Sequence, residues 1–467
     1  MAKARELFAA KDLTQGPPWK RILEFSIPML IGNIAQQLYN TADSIIVGRY
    51  IGDNALAAVG SAAPVLHLLL VLFVGISVGA GIMVAQYFGA RDRENLSKTI
   101  GNCLALTAIT SVIIMVVGPL VTRPLLELLN TPASIIDWCV GYLNIFFLGG
   151  AGFSYFNILS GILRGLGDSV SALVFLLLST ALNVVLDIIF VASFGLGVPG
   201  VALATVLAQA LSAVLCLGKL ARMREHFDLN RAALKLDREL SLAVIKLGLP
   251  SGLTQAIFSM AMIMVQSLMN TFGEMVIAAN VIVMRVDGFA MMPNFSFGSA
   301  MTTFTGQNVG AGKLDRVDRG TKEGTLIAVG VSAAITVVLL FFGHYLMRIF
   351  TTTPELVALS QRMLRILAFG YIAMAVTQSL SGVMRGAGDT ITPMWISIIT
   401  TVIIRVPLAY TLAYFTRSPQ YPTGRPESTF VSLLVAWTLG ALITYGFFKR
   451  GAWRAKGLKK SMNKEAA

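Results

Sequence analysis

Charge is scarce in this chain of 467 residues: only 13% of it is Asp, Glu, Lys or Arg, where a soluble globular chain carries roughly 25%. With 55% of residues hydrophobic, that scarcity excludes water as the solvent for most of the surface. A large soluble helical bundle would need polar faces at helical spacing, and stretches such as VSALVFLLLSTALNVVLDIIF from Val170 have almost none. Histidine and cysteine are scarcer still. His67, His226 and His344 are far apart, and Cys103, Cys139 and Cys216 fall within or at the edge of apolar stretches without metal-ligand spacing, so neither a metal centre nor a cofactor is expected. No Ser–His or Cys–His constellation is visible, which argues against an enzyme built on a nucleophile and its base. The leading MAKARELFAAKDLTQGPPWKR lacks an apolar core of its own and is not expected to be a cleaved secretory signal.

What the chain does have is twelve long apolar stretches, each supplying the roughly 20 residues a bilayer span requires. Six fall in each half. SGILRGLGDS from Ser160 recurs as SGVMRGAGDT from Ser381, an offset of 221 residues. QYFGARD from Gln86 answers QNVGAGKLD from Gln307 at the same offset, and Pro28 answers Pro250 within one residue. A period this long lies outside the solenoid range and resembles the internal repeats of secondary transporters. The expected fold is an all-α integral membrane protein with twelve transmembrane helices in two pseudo-symmetric six-helix bundles. Residues 1–220 form the first lobe, 221–238 a charged cytoplasmic linker, 239–450 the second lobe and 451–467 a basic tail. An even number of spans per half relates the copies by an axis along the membrane normal. Placing the N-terminus in the cytoplasm puts 28 of the 37 Lys and Arg on that side, so the positive-inside rule expects both termini there, in a plasma (inner) membrane. The net charge of +13 then needs no nucleic acid, because basic segments meet anionic lipid headgroups.

A carboxylate at the bilayer centre costs about 2.5 to 3.5 kcal/mol, which makes intramembrane acids functional candidates. Asp43 ends the first span. Asp187 lies in the fifth, four residues after Asn183 and therefore on the same helical face. Counting helical rise brings Asp43, Asn183, Asp187 and Thr205 of the sixth span to similar height in the outer half of the membrane. Such an oxygen-rich pocket can hold a proton shared between carboxylates, or a sodium ion. At the 221-residue offset Asn183 and Asp187 become Ile404 and Leu408, and the stretch matching Asp43 reads MVQS, so the acids belong to one half only. The other half has its own intramembrane charges: Arg285 and Asp287 in the eighth span and Arg405 in the eleventh. These read either as a salt bridge of Asp287 with Arg405 or Arg285, or as a cavity wall that binds an anionic group or biases protonation of the acids.

Over its whole length the chain resembles the multidrug and toxic compound extrusion (MATE) family. The match rests on IPMLIGNIAQQLYNTADSIIVGRYIGDNALAAVG, on QYFGARD with its partner GQNVGAGKLDR, and on the repeated SGxxRGxGD. The resemblance implies a V-shaped pair of bundles, alternating access, and export of amphipathic, usually cationic compounds in exchange for protons or sodium by a monomer. Asp43, Asn183, Asp187 and Thr205 match the ion site of the DinF-like branch. Gln36, Tyr39, Tyr142 and Asn157 resemble the polar lining of its first-lobe cavity, and Asp287 and Arg405 are the candidates for a cavity wall in the second lobe. The NorM-like branch places a Glu in the seventh helix, where this chain reads SGLTQAIFSM. A lipid-linked oligosaccharide flippase of the related superfamily is the alternative. Arg285 and Arg405 would suit a pyrophosphate, but the acidic first lobe and twelve rather than fourteen spans argue against it.

Overall fold

A computed structural model of the chain describes residues 10–129, 131–223, 225–230 and 233–456. The basic tail expected from 451 onward lies beyond Lys456 outside the described residues. In the first half the spans are α1 (Pro18–Ile46), α2 (Asp53–Ala90), α3 (Arg93–Leu128), the pair α4 (Ile136–Leu148) and α5 (Gly150–Gly165), α6 (Ser169–Asp187) and α7 (Gly197–Arg222). In the second half they are α8 (Arg238–Asn270), α9 (Glu274–Gly310), α10 (Leu314–Phe350), the pair α11 (Pro354–Ala368) and α12 (Gly370–Gly386), α13 (Ile391–Ile398) leading into α14 (Arg405–Phe415), and α15 (Glu427–Arg450). Among the described residues nine helices are long and apolar enough to cross a bilayer, and the two pairs, bent by 54° and 41°, bring the number to eleven. α1 is the twelfth span. Its 29 residues suffice in length, but Asn33, Gln36, Gln37, Asn40 and Asp43 interrupt its apolar surface.

The outward faces are apolar. Val112, Val116 and Leu120 follow one another down α3 at i, i+4 spacing, and Val337, Phe341 and Tyr345 do the same on α10, all exposed. Stripes of this kind suit acyl chains rather than water.

Two compact units divide the described residues: Pro28–Gly252 with residues 10–12, and Leu13–Ile27 with residues 253–456. These limits differ from lobes cut at 220 and 239. α1 changes unit at Pro28, and α8 changes unit two residues after Pro250. Proline has no N–H to donate along the helix, so each helix is weakest close to where it leaves one unit for the other. The segment expected to be a linker between lobes belongs to the first unit. Arg93 Nε and Nη2 hold the Asp228 carboxylate at 2.9 and 2.8 Å, and the Asp237 N–H donates to Asn102 Oδ1 at 2.8 Å. The Ala233 carbonyl lies against Gly101, where a Cβ could not fit. In the second unit Leu13 is buried. Its N–H donates to Gln307 Oε1 at 2.9 Å and its carbonyl accepts from Asn308 Nδ2 at 3.3 Å, so one copy of the Gln-containing repeat anchors the entry to α1.

The duplicated SGxxRGxGD motif packs and caps. Gly161 and Gly165 of α5 meet the backbone of α2 at Ser77 and Gly81, and Gly382 and Gly386 of α12 meet that of α9 at Gly298 and Thr302. A Cβ at any of these four glycines would fall within 3.0 Å of a backbone atom, which is how small residues let membrane helices approach closely. Gly167 and Gly388 then turn the chain at φ +86° and +95°, a conformation open to glycine. Asp168 and Asp389 follow as helix caps. The first accepts from the Ser171 N–H at 2.9 Å and the second from the Thr392 N–H at 3.2 Å. Where α11 breaks into α12, the Ala368 carbonyl freed by the bend accepts the Thr336 hydroxyl at 2.6 Å.

Two outcomes follow from this packing. Gly382→Leu forces α12 from α9, with overpacking costs of at least about 1–3 kcal/mol, and should abolish the monodisperse peak in detergent size-exclusion chromatography. Gly141→Leu, with nothing within 4 Å of its Cβ position, should leave that peak unchanged. The Arg93 guanidinium holds the Asp228 carboxyl below its ordinary range, so their contact is present at neutral pH and survives as pH falls, until the depressed value is crossed. Arg93→Ala should therefore speed tryptic cleavage after Lys235, and the difference from the unaltered protein should hold across the whole pH range in which trypsin works.

Candidate functional site

Three helices of the first unit build one polar cluster inside an apolar bundle. α1 brings Tyr39 and Asp43, one turn apart, α6 brings Asn183 and Asp187, also one turn apart, and α7 brings Thr205. Asn183, Asp187, Thr205 and Tyr39 are buried. All four residues expected at the ion site therefore come together, and Tyr39 joins them.

The Asn183 amide is the hub. Its orientation is assigned from the surrounding donors and acceptors. With Nδ2 toward the acids it donates to Asp187 Oδ2 and Asp43 Oδ1, each at 3.0 Å, while its Oδ1 accepts from the Thr205 N–H at 3.1 Å and the Thr205 hydroxyl at 3.2 Å. The Tyr39 hydroxyl lies 3.2 Å from Thr205 Oγ1. A single polarity thus runs from Tyr39 through Thr205 and the amide to the two carboxyls, with the Val201 carbonyl, 3.1 Å from Thr205 Oγ1, as the competing acceptor. The one Nδ2 thus bridges the two carboxyls. Asp187 Oδ1 has no hydrogen-bond partner among the described residues, and no basic side chain there forms an ion pair with either acid. Ionised carboxylates only accept, so a proton or a cation between the acids is what would complete the site.

Helix irregularity positions the acids. Asp187 is the last residue of α6 before π-helical Ile188–Ser193, and Asp43 stands four residues before π-helical Val47–Ile51. The two π segments touch. Such widened turns frequently occur at functional sites because they re-aim side chains. Of the residues expected to line the cavity, Tyr142 on α4 is buried beside both acids and packs against Phe146 at a ring separation of 6.1 Å. Asn157 and Gln36 stand apart. Asn157 Nδ2 donates to the Phe153 carbonyl of its own helix at 2.9 Å, and Gln36 is half-buried and joins none of the cluster's hydrogen bonds among the described residues.

In the second unit the salt bridge weighed from sequence is replaced by a different contact. Asp287 Oδ1 accepts the Tyr371 hydroxyl at 3.0 Å. Arg285 is exposed, and Arg405 is close enough for its charge to be felt at Asp287, yet neither forms an ion pair with Asp287 within 4.0 Å. Tyr371 carried no signal in the sequence, being 84 residues from Asp287 and turned toward it only beyond the bend of the tenth span.

The family model described as MatE matches residues 28–189 and again 250–411, each match beginning at one of the repeated prolines. The chain belongs to the MatE family. It is a membrane transporter rather than an enzyme. This MatE chain is 28% identical to the probable multidrug resistance protein YoeA of Bacillus subtilis over 98% of both chains. It is also similar to a transporter solved as "MATE in the bent conformation", with 26% identity, a TM-score of 0.88 and coverage of 95% of this chain and 98% of that one. An outward-facing multidrug resistance MATE family transporter of the MOP superfamily matches with a TM-score of 0.88 and 26% identity over 96% and 99% of the two chains.

Asn183→Ala in this MatE protein would strip both acids of their shared donor. An unsatisfied buried group costs about 1–3 kcal/mol, so the melting temperature of the detergent-purified variant should fall by several degrees at alkaline pH. The deficit should shrink in acid, where a protonated carboxyl donates to its neighbour. A pH-independent deficit would reduce the amide to a packing role.

Proposed function

We propose that this MatE protein is a secondary active exporter of amphipathic, drug-like cations, driven by protons or sodium ions entering through the Asp43–Asp187 pair. One observation carries the reading: two buried or half-buried carboxyls share a single amide and no basic partner among the described residues, leaving a negative site that a cation neutralises. The relatives named as multidrug resistance proteins support small, drug-like substrates. Asp43, Asn183, Asp187 and Thr205 bind the coupling ion, as in the DinF-like branch. Tyr39 and Tyr142 face the same charge, and with Gln36 and Asn157 they line the substrate path in the first lobe, while Asp287 and Arg405 line its counterpart in the second. Both termini are cytoplasmic and the transporter works as a monomer in the inner membrane.

With the site open outward, a proton or sodium ion enters the pair and removes its net charge. The bound compound loses its electrostatic partner and leaves. α1, weakened at Pro28, rearranges as the charge changes. Facing inward, loss of the ion restores the charge, and the next cation binds. Exchange of one proton for one monovalent cation is electrically silent, and one pH unit then supports only about tenfold accumulation. Two protons, one on each carboxyl, would add roughly 2.3 kcal/mol per 100 mV of membrane potential.

Proteoliposomes loaded with a fluorescent lipophilic cation test the scheme. A proton or a sodium gradient should drive export in the unaltered protein, with accumulation of about tenfold per pH unit in the one-proton case, and Asp187→Asn should abolish it while leaving the protein folded. Cation movement that ignores both gradients, or survives Asp187→Asn, would sink the proposal.

A further inference from the structure

Arg405, beside the substrate path of the second unit, takes no part in ion coupling at the acid pair, and its surroundings are unlike those of an ordinary buried arginine. It is the first residue of α14, directly after π-helical Ile399–Ile404, and is 4% exposed. A guanidinium carries five N–H donors. Among the described residues Nη1 and Nη2 each find only the Met262 Sδ at 3.8 Å, a weak acceptor, and Nε has no partner. Asp287 is felt at a distance but is engaged by Tyr371 and forms no ion pair with Arg405. A charge removed from water without a hydrogen-bonded counterion is strongly disfavoured.

The guanidinium borders a cavity of about 30 Å³ lined also by Met262, Gln266, Asn280 and Thr429. Its lining includes no carboxylate. The Asn280 amide donates to Gln266 Oε1 at 3.3 Å through Nδ2, and Gln266 Nε2 donates in turn to Asn270 Oδ1 at 2.8 Å. That leaves the second Nδ2 hydrogen of Asn280 for another acceptor. A cavity needs roughly 10–15 Å³ of such space to hold a water, so this one takes a water-sized or slightly larger guest. It is far below the roughly 300 Å³ at which drug-sized pockets begin. The chemistry on offer is a full positive charge, amide N–H donors and polarizable thioethers, in a volume for a single small ion.

We propose that the second unit binds one halide ion, chloride in the cell, between the Arg405 guanidinium and the Asn280 amide. The ion supplies the hydrogen-bonded counter-charge that Asp287, engaged by Tyr371, does not give Arg405. This site is separate from the acid pair and stands whether or not that pair couples transport.

The test uses the full-length protein in detergent, with chloride titrated against gluconate at constant ionic strength and bromide exchanged into crystals. A saturable rise in melting temperature of about 2 °C or more is expected in the unaltered protein. Arg405→Gln should lose that rise, Arg405→Lys should need at least about tenfold more chloride, and an anomalous bromide peak should lie in the cavity. No chloride response together with an empty bromide map would overturn the site and assign the cavity to water. An equal response in Arg405→Gln would also overturn it, by placing the ion elsewhere. If Arg405→Gln does not fold, the bromide peak decides alone.

Discussion

Two carboxyl groups held beside one amide in a membrane-buried bundle are the constraint around which the first unit is arranged. Carboxylates in such surroundings are tolerated only when their oxygens are answered by donors or by a cation. Asn183 supplies two donors, one to each acid, and can do so only with its carbonyl turned to Thr205. Thr205 must then face α6, which fixes the rotation of α7, and Tyr39 must follow on α1. The π segments after Asp43 and Asp187 adjust the helix ends that carry the acids. The demand left over, an acceptor-rich gap with Asp187 Oδ1 unpartnered, is one that packing within the described residues does not meet.

The duplication shows which features belong to the scaffold. Close glycine crossings between the second and fourth spans, the positive-φ turns at Gly167 and Gly388, and the aspartate caps recur in both copies because each bundle must solve the same packing problem. Beyond the repeated motif, intramembrane charges do not recur. Among the described residues the first copy holds Asp43 and Asp187 on one amide without an ion pair, while the second holds Asp287 on Tyr371 and leaves Arg405 against a thioether. The second copy's π segment, Ile399–Ile404, abuts Arg405, so in both halves a widened helical turn adjoins a buried charge. One scaffold thus supports two interiors with different arrangements of charge.

The repeated prolines have a role that composition alone would not suggest. Pro28 and Pro250 stand where, or within two residues of where, α1 and α8 pass from one compact unit to the other. A helix lacking one backbone hydrogen bond there bends more readily than an unbroken one.

The sequence by itself determined the twelve spans, the duplication and the Asn183–Asp187 face. A bilayer imposes a length of apolar residues on each crossing helix, and backbone hydrogen bonding within a helix fixes which residues share a face. Helical rise was also enough to place Asp43 and Thr205 at the height of Asp187. Rotation of one helix against another was out of its reach, because that depends on side chains meeting across dozens of residues. Only the tertiary structure decided that Asn183 serves both acids, that Tyr39 joins the cluster while Asn157 and Gln36 stand outside its hydrogen bonds, and that Asp287 bonds to Tyr371 rather than to an arginine. It also decided that residues 13–27 pack with the second unit and the described residues of 221–252 with the first, since allegiance to a core is settled by contacts between distant segments and leaves no periodic trace in the chain.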